Sequence, residues 1–185
     1  MTKNIKYALI LLSICAVSAF ALALTNSITS PVIAQMDADN RLKALEAVSA
    51  GYVIGDQKEV SDNAYVTYTI ELQENSNVAG YILGLKTAGY GGAMTLVASY
   101  TTQGEMLFAQ LLAHGETPGL GKKAENEGYM DKFKGTGAAK PVPTSKTMLS
   151  DSDAQAVSGS SVTFTAIAKA ISGGSEYVKG LGGAK

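Results

Sequence analysis

The sequence predicts an α+β fold: an N-terminal transmembrane helix followed by one extracytoplasmic domain, in which an antiparallel sheet is flanked by helices. Three observations carry this expectation. No charged residue stands between Tyr7 and Met36. From Tyr65 onward apolar residues recur at every second position, the period of a half-buried strand. A helical period then returns, first over residues 122–133 and again from Ser161.

The N-terminal element comes first. The stretch Ile5 to Leu24 is almost wholly apolar, and about 20 such residues match the hydrocarbon thickness of a bilayer. Lys3 and Lys6 precede it and the next charge, Asp37, is acidic, so the positive-inside bias places the N-terminus in the cytoplasm and the remainder outside. A cleaved signal peptide would end near Ala21-Leu22-Ala23, but the apolar run exceeds the usual h-region of about 7–15 residues, which favours a retained anchor. Cys15, mid-span, reads as a small apolar filler. The expected organisation is an anchor over residues 1–24, a turn-rich linker over 25–36, a domain over 37–171 and a flexible, Gly-rich tail over 172–185.

In the outer domain, residues 37–48 place Leu42, Leu45 and Val48 on one face of a short amphipathic helix. Val66, Tyr68, Ile70 and Leu72 alternate with Thr67, Thr69 and Glu71 in a first strand, and strand-like runs follow at 78–85, 94–100 and 106–113. Their close spacing favours an antiparallel meander. Phe164, Ile167, Ala168 and Ile171 then fall at i, i+3, i+4 and i+7 of a helix.

Composition excludes several function classes. With one Cys and one His in 185 residues, no thiolate or imidazole cluster is available for a zinc or iron–sulfur site, and the expected metal is none. A net charge of −1 with scattered basic residues gives no footprint for a phosphate backbone, so nucleic acid is not an expected partner.

Two loops could carry chemistry. Residues 114–124, His-Gly-Glu-Thr-Pro-Gly-Leu-Gly-Lys-Lys-Ala, join a strand to a helix, and Gly119 and Gly121 would let a ligand approach the backbone. The spacing from Gly115 to Gly121 is one residue too long for a P-loop, and Lys123 occupies the Ser/Thr position. Gly119-x-Gly121-x-x-Ala124 matches a dinucleotide fingerprint in form, but without a βαβ unit or the carboxylate about 20 residues on. The second loop places Ser158, Ser160 and Ser161 around Gly159 just before a helix, where hydroxyls suit capping and unpaired N–H groups favour an anion.

Taken together, these residues resemble a known family: the G subunit of Rnf-type ion-translocating electron-transport complexes, related to the C subunit of the sodium-pumping NADH:quinone reductase. The resemblance rests on the anchor, Gly-Tyr-Gly-Gly at 89–92, His-Gly-Glu-Thr-Pro-Gly-Leu-Gly at 114–121, and Ser-Gly-Ser-Ser-Val-Thr at 158–163. It implies an FMN held by a phosphoester. In the family the last motif usually reads Ser-Gly-Ala-Thr-x-Thr and the first Thr carries the flavin; aligned on Ser158-Gly159, that position is Ser161 here, with Thr163 as the second candidate. The family's Asp three residues before the motif is replaced by Gln155. The cofactor-binding set implied by the resemblance is Ser158, Gly159, Ser160, Ser161, Val162 and Thr163, with Glu116, Thr117, Pro118, Gly119, Leu120 and Gly121 as the pocket wall and Tyr90 in the neighbouring loop.

The implied function is an electron-transfer subunit in the cytoplasmic (inner) membrane, carrying covalent FMN in a ferredoxin:NAD oxidoreductase complex coupled to ion translocation. Its implied partners are the other membrane subunits and a flavin transferase. The alternatives are a non-redox assembly module and a stand-alone extracytoplasmic flavoprotein reductase.

Overall fold

The computed structural model describes residues 3–75 and 77–182. The chain divides into two compact units, residues 1–41 and 42–185.

The first unit is helical throughout its described residues and belongs to α1 (Lys3–Val48). This helix is long and apolar enough to cross a membrane, and the apolar side chains of its span, Leu11, Phe20 and Leu22 among them, are exposed. The expected break over 25–36 is absent, because the polar residues satisfy themselves within the helix. Thr25 Oγ1 donates to Ala21 O, Ser27 Oγ to Leu24 O and Thr29 Oγ1 to Thr25 O. Such back-bonding removes the competition that Ser and Thr usually offer a helix, and even Pro31 is carried inside it.

The second unit is built on one five-stranded antiparallel meander, β1 (Val53–Glu59), β2 (Val66–Glu74), β3 (Asn77–Ala88), β4 (Ala93–Thr101) and β5 (Met106–Ala113), in spatial order 1-2-3-4-5. The four expected strands are β2 to β5. The additional strand β1, Val-Ile-Gly-Asp-Gln-Lys-Glu, is an edge strand with little burial, so it carries no hydrophobic alternation. Its Lys58 Nζ sits 2.7 Å from Glu71 Oε1 on β2, and that carboxylate raises the lysine's pKa.

Both faces of the sheet are covered. On one, Leu83, Leu85, Leu96, Ala98 and Tyr100 meet Phe164, Ile167, Ala168 and Ile171 of α3 (Ser161–Gly182). On the other, Ile70, Leu72, Ile82 and Val97 meet Ala44, Leu45 and Val48. Val66 and Tyr68 lie in different cores although two residues apart, because the β2–β3 register shifts between them and turns the strand over.

One helical expectation changes in form, and one helix is added. Residues 122–133 hold two 3-10 turns, Gly121–Glu125 and Met130–Phe133, in place of one helix; Gly128 between them has φ +75°, outside any helical continuation. The second turn still delivers Phe133 to stack on Phe164 at 5.2 Å between centroids. A short α2 (Asp151–Ala156), capped by Ser150 Oγ accepting from Asp153 N, also precedes α3.

The expected flexible tail is corrected over its described part: α3 continues through residue 182, and Gly174, Ser175 and Val178 are buried. Residues 183–185 lie outside the described residues. The glycines at 173 and 174 are places of close approach. A Cβ on Gly173 would stand 2.4 Å from the Tyr65 ring, and one on Gly174 would stand 2.5 Å from the Tyr100 hydroxyl.

Candidate functional site

Three segments distant in sequence meet at the N-terminus of α3: the β3–β4 turn with Tyr90, the loop after β5, and the turn leading into the helix. Together they line a cleft of about 290 Å³ bounded by Tyr90, Glu116, Thr117, Leu120, Gly121 and residues 159–163. Of the residues singled out from sequence, Ser158 and Pro118 are exposed nearby but do not line it. Gly119 also lies outside the lining; its φ of +76° shapes the loop turn.

The centre of this convergence is Glu116, buried to 4 % exposure. Its Oε1 accepts from Gly91 N at 3.0 Å and its Oε2 from Thr163 Oγ1 at 2.7 Å. One side chain thus ties the loop after β5 to segments 25 and 47 residues away. Two glycines make room for it: a Cβ on Gly121 would fall 1.9 Å from Oε2, and one on Gly89 would fall 2.2 Å from Oε1. The expectation that Gly121 opens the backbone to a ligand is therefore changed, since the space it leaves is filled by Glu116. This role is not legible in sequence, where Glu116 is one letter of a loop motif.

Around the hub the loops are braced. His114 Nδ1 accepts from Glu116 N at 3.1 Å, which leaves the proton on Nε2, 2.6 Å from Glu125 Oε1. His114 is thus a structural brace between the end of β5 and the first 3-10 turn. Lys123 Nζ donates to Ser158 O at 2.8 Å and holds the Leu120 loop to the turn before α3.

The hydroxyls of the turn divide by role. Ser160 is buried and donates to Val157 O at 3.0 Å. Thr163 is 1 % exposed and committed to Glu116. Ser161, the first residue of α3, is exposed, and its hydroxyl has no partner among the described residues. Gly159, with φ +80°, turns the chain so that Ser161 begins the helix facing outward. Beside it stand Tyr90, Leu120 and Val162, apolar groups that are 78 %, 47 % and 55 % exposed. Behind the turn, burial pushes the Tyr129 hydroxyl up to about 12, with Ser160 pulling the other way and Glu116 adding to the rise.

A second, wider cleft of about 830 Å³ shares Ser161 and Val162 with the first. It runs between the β3–β4 end of the sheet and α3, with Met94 and Ala166 in its lining and Lys86 and Lys169 at its sides. Ser161 therefore stands on the ridge between two clefts. Among the described residues no group of three or more His, Cys, Asp and Glu side chains could hold a metal.

Comparison with known proteins adds a second line. Residues 89–174 match the family model described as FMN-binding domain, and residues 1–48 match that described as RnfG N-terminal region. The first match begins at Gly89, ends at Gly174 and takes in all three converging segments. Among similar proteins is the G subunit of the Na+-translocating ferredoxin:NAD+ oxidoreductase complex of Acetobacterium woodii, 30 % identical over 90 % of this chain and 87 % of its own. The G subunit of the proton-translocating ferredoxin:NAD+ oxidoreductase complex of Clostridium ljungdahlii is 25 % identical over 100 % of this chain and 94 % of its own. The G subunit of the ion-translocating oxidoreductase complex of Methanosarcina acetivorans is 26 % identical over 89 % of each.

Proposed function

This chain belongs to the family of Rnf-type G subunits, and from that premise we propose that it is a membrane-anchored electron-transfer subunit with FMN attached at Ser161, working in a ferredoxin:NAD oxidoreductase complex coupled to ion translocation. The observation that carries the attachment is the state of the hydroxyls. Ser161 alone combines exposure, lack of a hydrogen-bond partner, the first position of a long helix and a place on the wall of the cleft. Thr163, the other candidate from sequence, is buried and already donates to Glu116.

The residues present fit the group. The N-terminus of α3 offers N–H groups and the positive end of the helix dipole to a phosphate. Tyr90, Leu120 and Val162 offer apolar surface to a flat ring system. The cofactor supplies reversible electron acceptance when bound; orientation, access and electrostatics are the protein's part. Attachment needs FAD and a flavin transferase. Ser161 Oγ would be the atom that joins the phosphorus on the FMN side of the pyrophosphate, with AMP as the leaving group and the hydroxyl proton passing to solvent.

The proposed topology has α1 crossing the inner membrane once, with Lys3 and Lys6 on the cytoplasmic side and the domain beyond residue 42 outside. The other membrane subunits of the complex are the proposed partners.

Chain purified from cells that make a flavin transferase should give a fluorescent band after denaturing electrophoresis and an intact mass higher by one FMN phosphoester. Ser161→Ala should lose both and Ser161→Thr should keep them. Flavin retained on Ser161→Ala would displace the attachment site, and its absence from the unaltered chain would overturn the flavoprotein reading.

A further inference from the structure

Glu116 is more than a clip. Both of its oxygens accept hydrogen bonds, one from a backbone N–H and one from a hydroxyl. Neither contact calls for a proton on the carboxyl, so the arrangement suits the ionised form. No cation forms an ion pair with it among the described residues; Lys58, His114, Lys132 and Lys179 pair with other carboxylates. It is nearly inaccessible to water and lines the cleft beside Gly121 and Thr163.

A buried, unpaired carboxylate is a costly way to join three segments, because desolvation strongly penalises the charged form. A neutral amide of the same shape could accept from Gly91 N through its oxygen and donate to Thr163 Oγ1 through its nitrogen. The charge is therefore the feature that the clip does not need.

We infer that Glu116 is a fixed negative charge that lowers the reduction potential of the flavin held in this cleft. The inference rests on the flavoprotein reading above. Each electron placed on the flavin adds negative charge unless a proton follows it, and a buried anion in the lining of the cleft disfavours that gain. The carboxylate thus favours the oxidised form and makes the reduced form a stronger donor. The two donated hydrogen bonds hold the charge in place and partly offset it.

The test uses the full chain, loaded with flavin in cells and confirmed by mass, in a reductive titration against redox dyes at pH 8. Glu116→Gln should raise the midpoint potential while leaving the clip's shape. Thr163→Val strips one donor from the carboxylate, leaves more negative charge uncompensated, and should lower the potential. Opposite signs are what a purely structural role cannot give, since loosening the loops would move both variants the same way. An unchanged potential in Glu116→Gln, or a shift of like sign in both, overturns the inference. Should Glu116→Gln fail to take up flavin, Thr163→Val decides alone: a fall supports the inference, and no change or a rise overturns it. Absence of flavin from the unaltered chain would fell the functional reading itself, a result distinct from a loaded protein whose potential does not move.

Discussion

The two ends of α3 are fastened to their loops by the same device with one difference. At the N-terminal end Thr163, buried, donates to Glu116, and Gly89 and Gly121 leave the space that the carboxylate fills. Toward the C-terminal end Ser175, also buried, lies 2.7 Å from Gly104 O and 2.9 Å from Gly137 O, so its one proton is shared between two loop carbonyls. Gly104 and Gly137, with φ of +82° and +106°, leave that space; a Cβ on Gly137 would stand 2.4 Å from Gly104 O. One fastening is charged and borders the cleft; the other is neutral and borders none of the site residues. The neutral version shows that a hydroxyl, two glycines and backbone carbonyls suffice to hold loops on this helix. The carboxylate at the other end therefore adds something to the cleft that fastening alone does not require.

The comparison is broken most severely by Gly121→Val. Its Cβ would meet Glu116 Oε2 and Cβ at 1.9 and 2.8 Å, so the carboxylate must leave its position and the contacts to Gly91 and Thr163 go with it. Overpacking of this kind costs about 1–3 kcal/mol, and the damage is concentrated where flavin is proposed to bind. Flavin loading, read as the ratio of fluorescence to protein, should fall roughly tenfold or more, because the distorted cleft no longer presents Ser161 and its apolar neighbours together. Loading at the unaltered level would mean that Glu116 can leave without cost to the cleft.

Ser175→Ala tests the other end and should do the converse. Two buried carbonyls lose their side-chain donor, at a cost of about 1–3 kcal/mol, so thermal unfolding of the full chain in detergent should shift down by about 2–4 °C per kcal/mol. Flavin loading and spectrum should not change. A change in loading would mean that the two ends communicate along α3 and are not independent fastenings.

The two ends also differ in how far they can be read from sequence. The cleft's segments are visible as motifs, and the helix start at Ser161 follows from Phe164, Ile167, Ala168 and Ile171. The strands β2 to β5 announce themselves because each has an apolar face against a core. The C-terminal half of α3 does not, because Gly173 and Gly174 depress local helix propensity by about 1 kcal/mol each while gaining contact with Tyr65 and Tyr100, residues more than 70 positions away. The hub at Glu116 is hidden for the same reason: its partners are set by how loops meet in space. β1 is missed because an exposed edge strand needs no hydrophobic pattern. Thr25, Ser27 and Thr29 read as a linker because their hydroxyls' bonds to their own helix cannot be seen in composition.

The smallest expected effect is an alkaline one, and it separates the ends by tyrosines. Tyr100 is fully buried against Gly174 and donates to Ile171 O at 3.0 Å; burial raises its pKa well above the ordinary value. Tyr129 belongs to the site end, where burial lifts it from 10.0 to about 12. A phenol whose folded pKa is raised contributes stability that is fully present below its unfolded pKa. That contribution is lost as pH rises toward the folded pKa, because the unfolded chain releases the proton first. The full chain should therefore hold its urea midpoint up to about pH 9 and lose stability above pH 10, with a limiting slope of about 1.4 kcal/mol per pH unit for each tyrosine. Tyr129→Phe should make this slope shallower between pH 10 and 12 and leave the remainder to Tyr100. If the midpoint's pH dependence is the same with and without the Tyr129 hydroxyl, that hydroxyl is in contact with water, and the interior behind Ser160 and Glu116 is less dry than the cleft's electrostatics require.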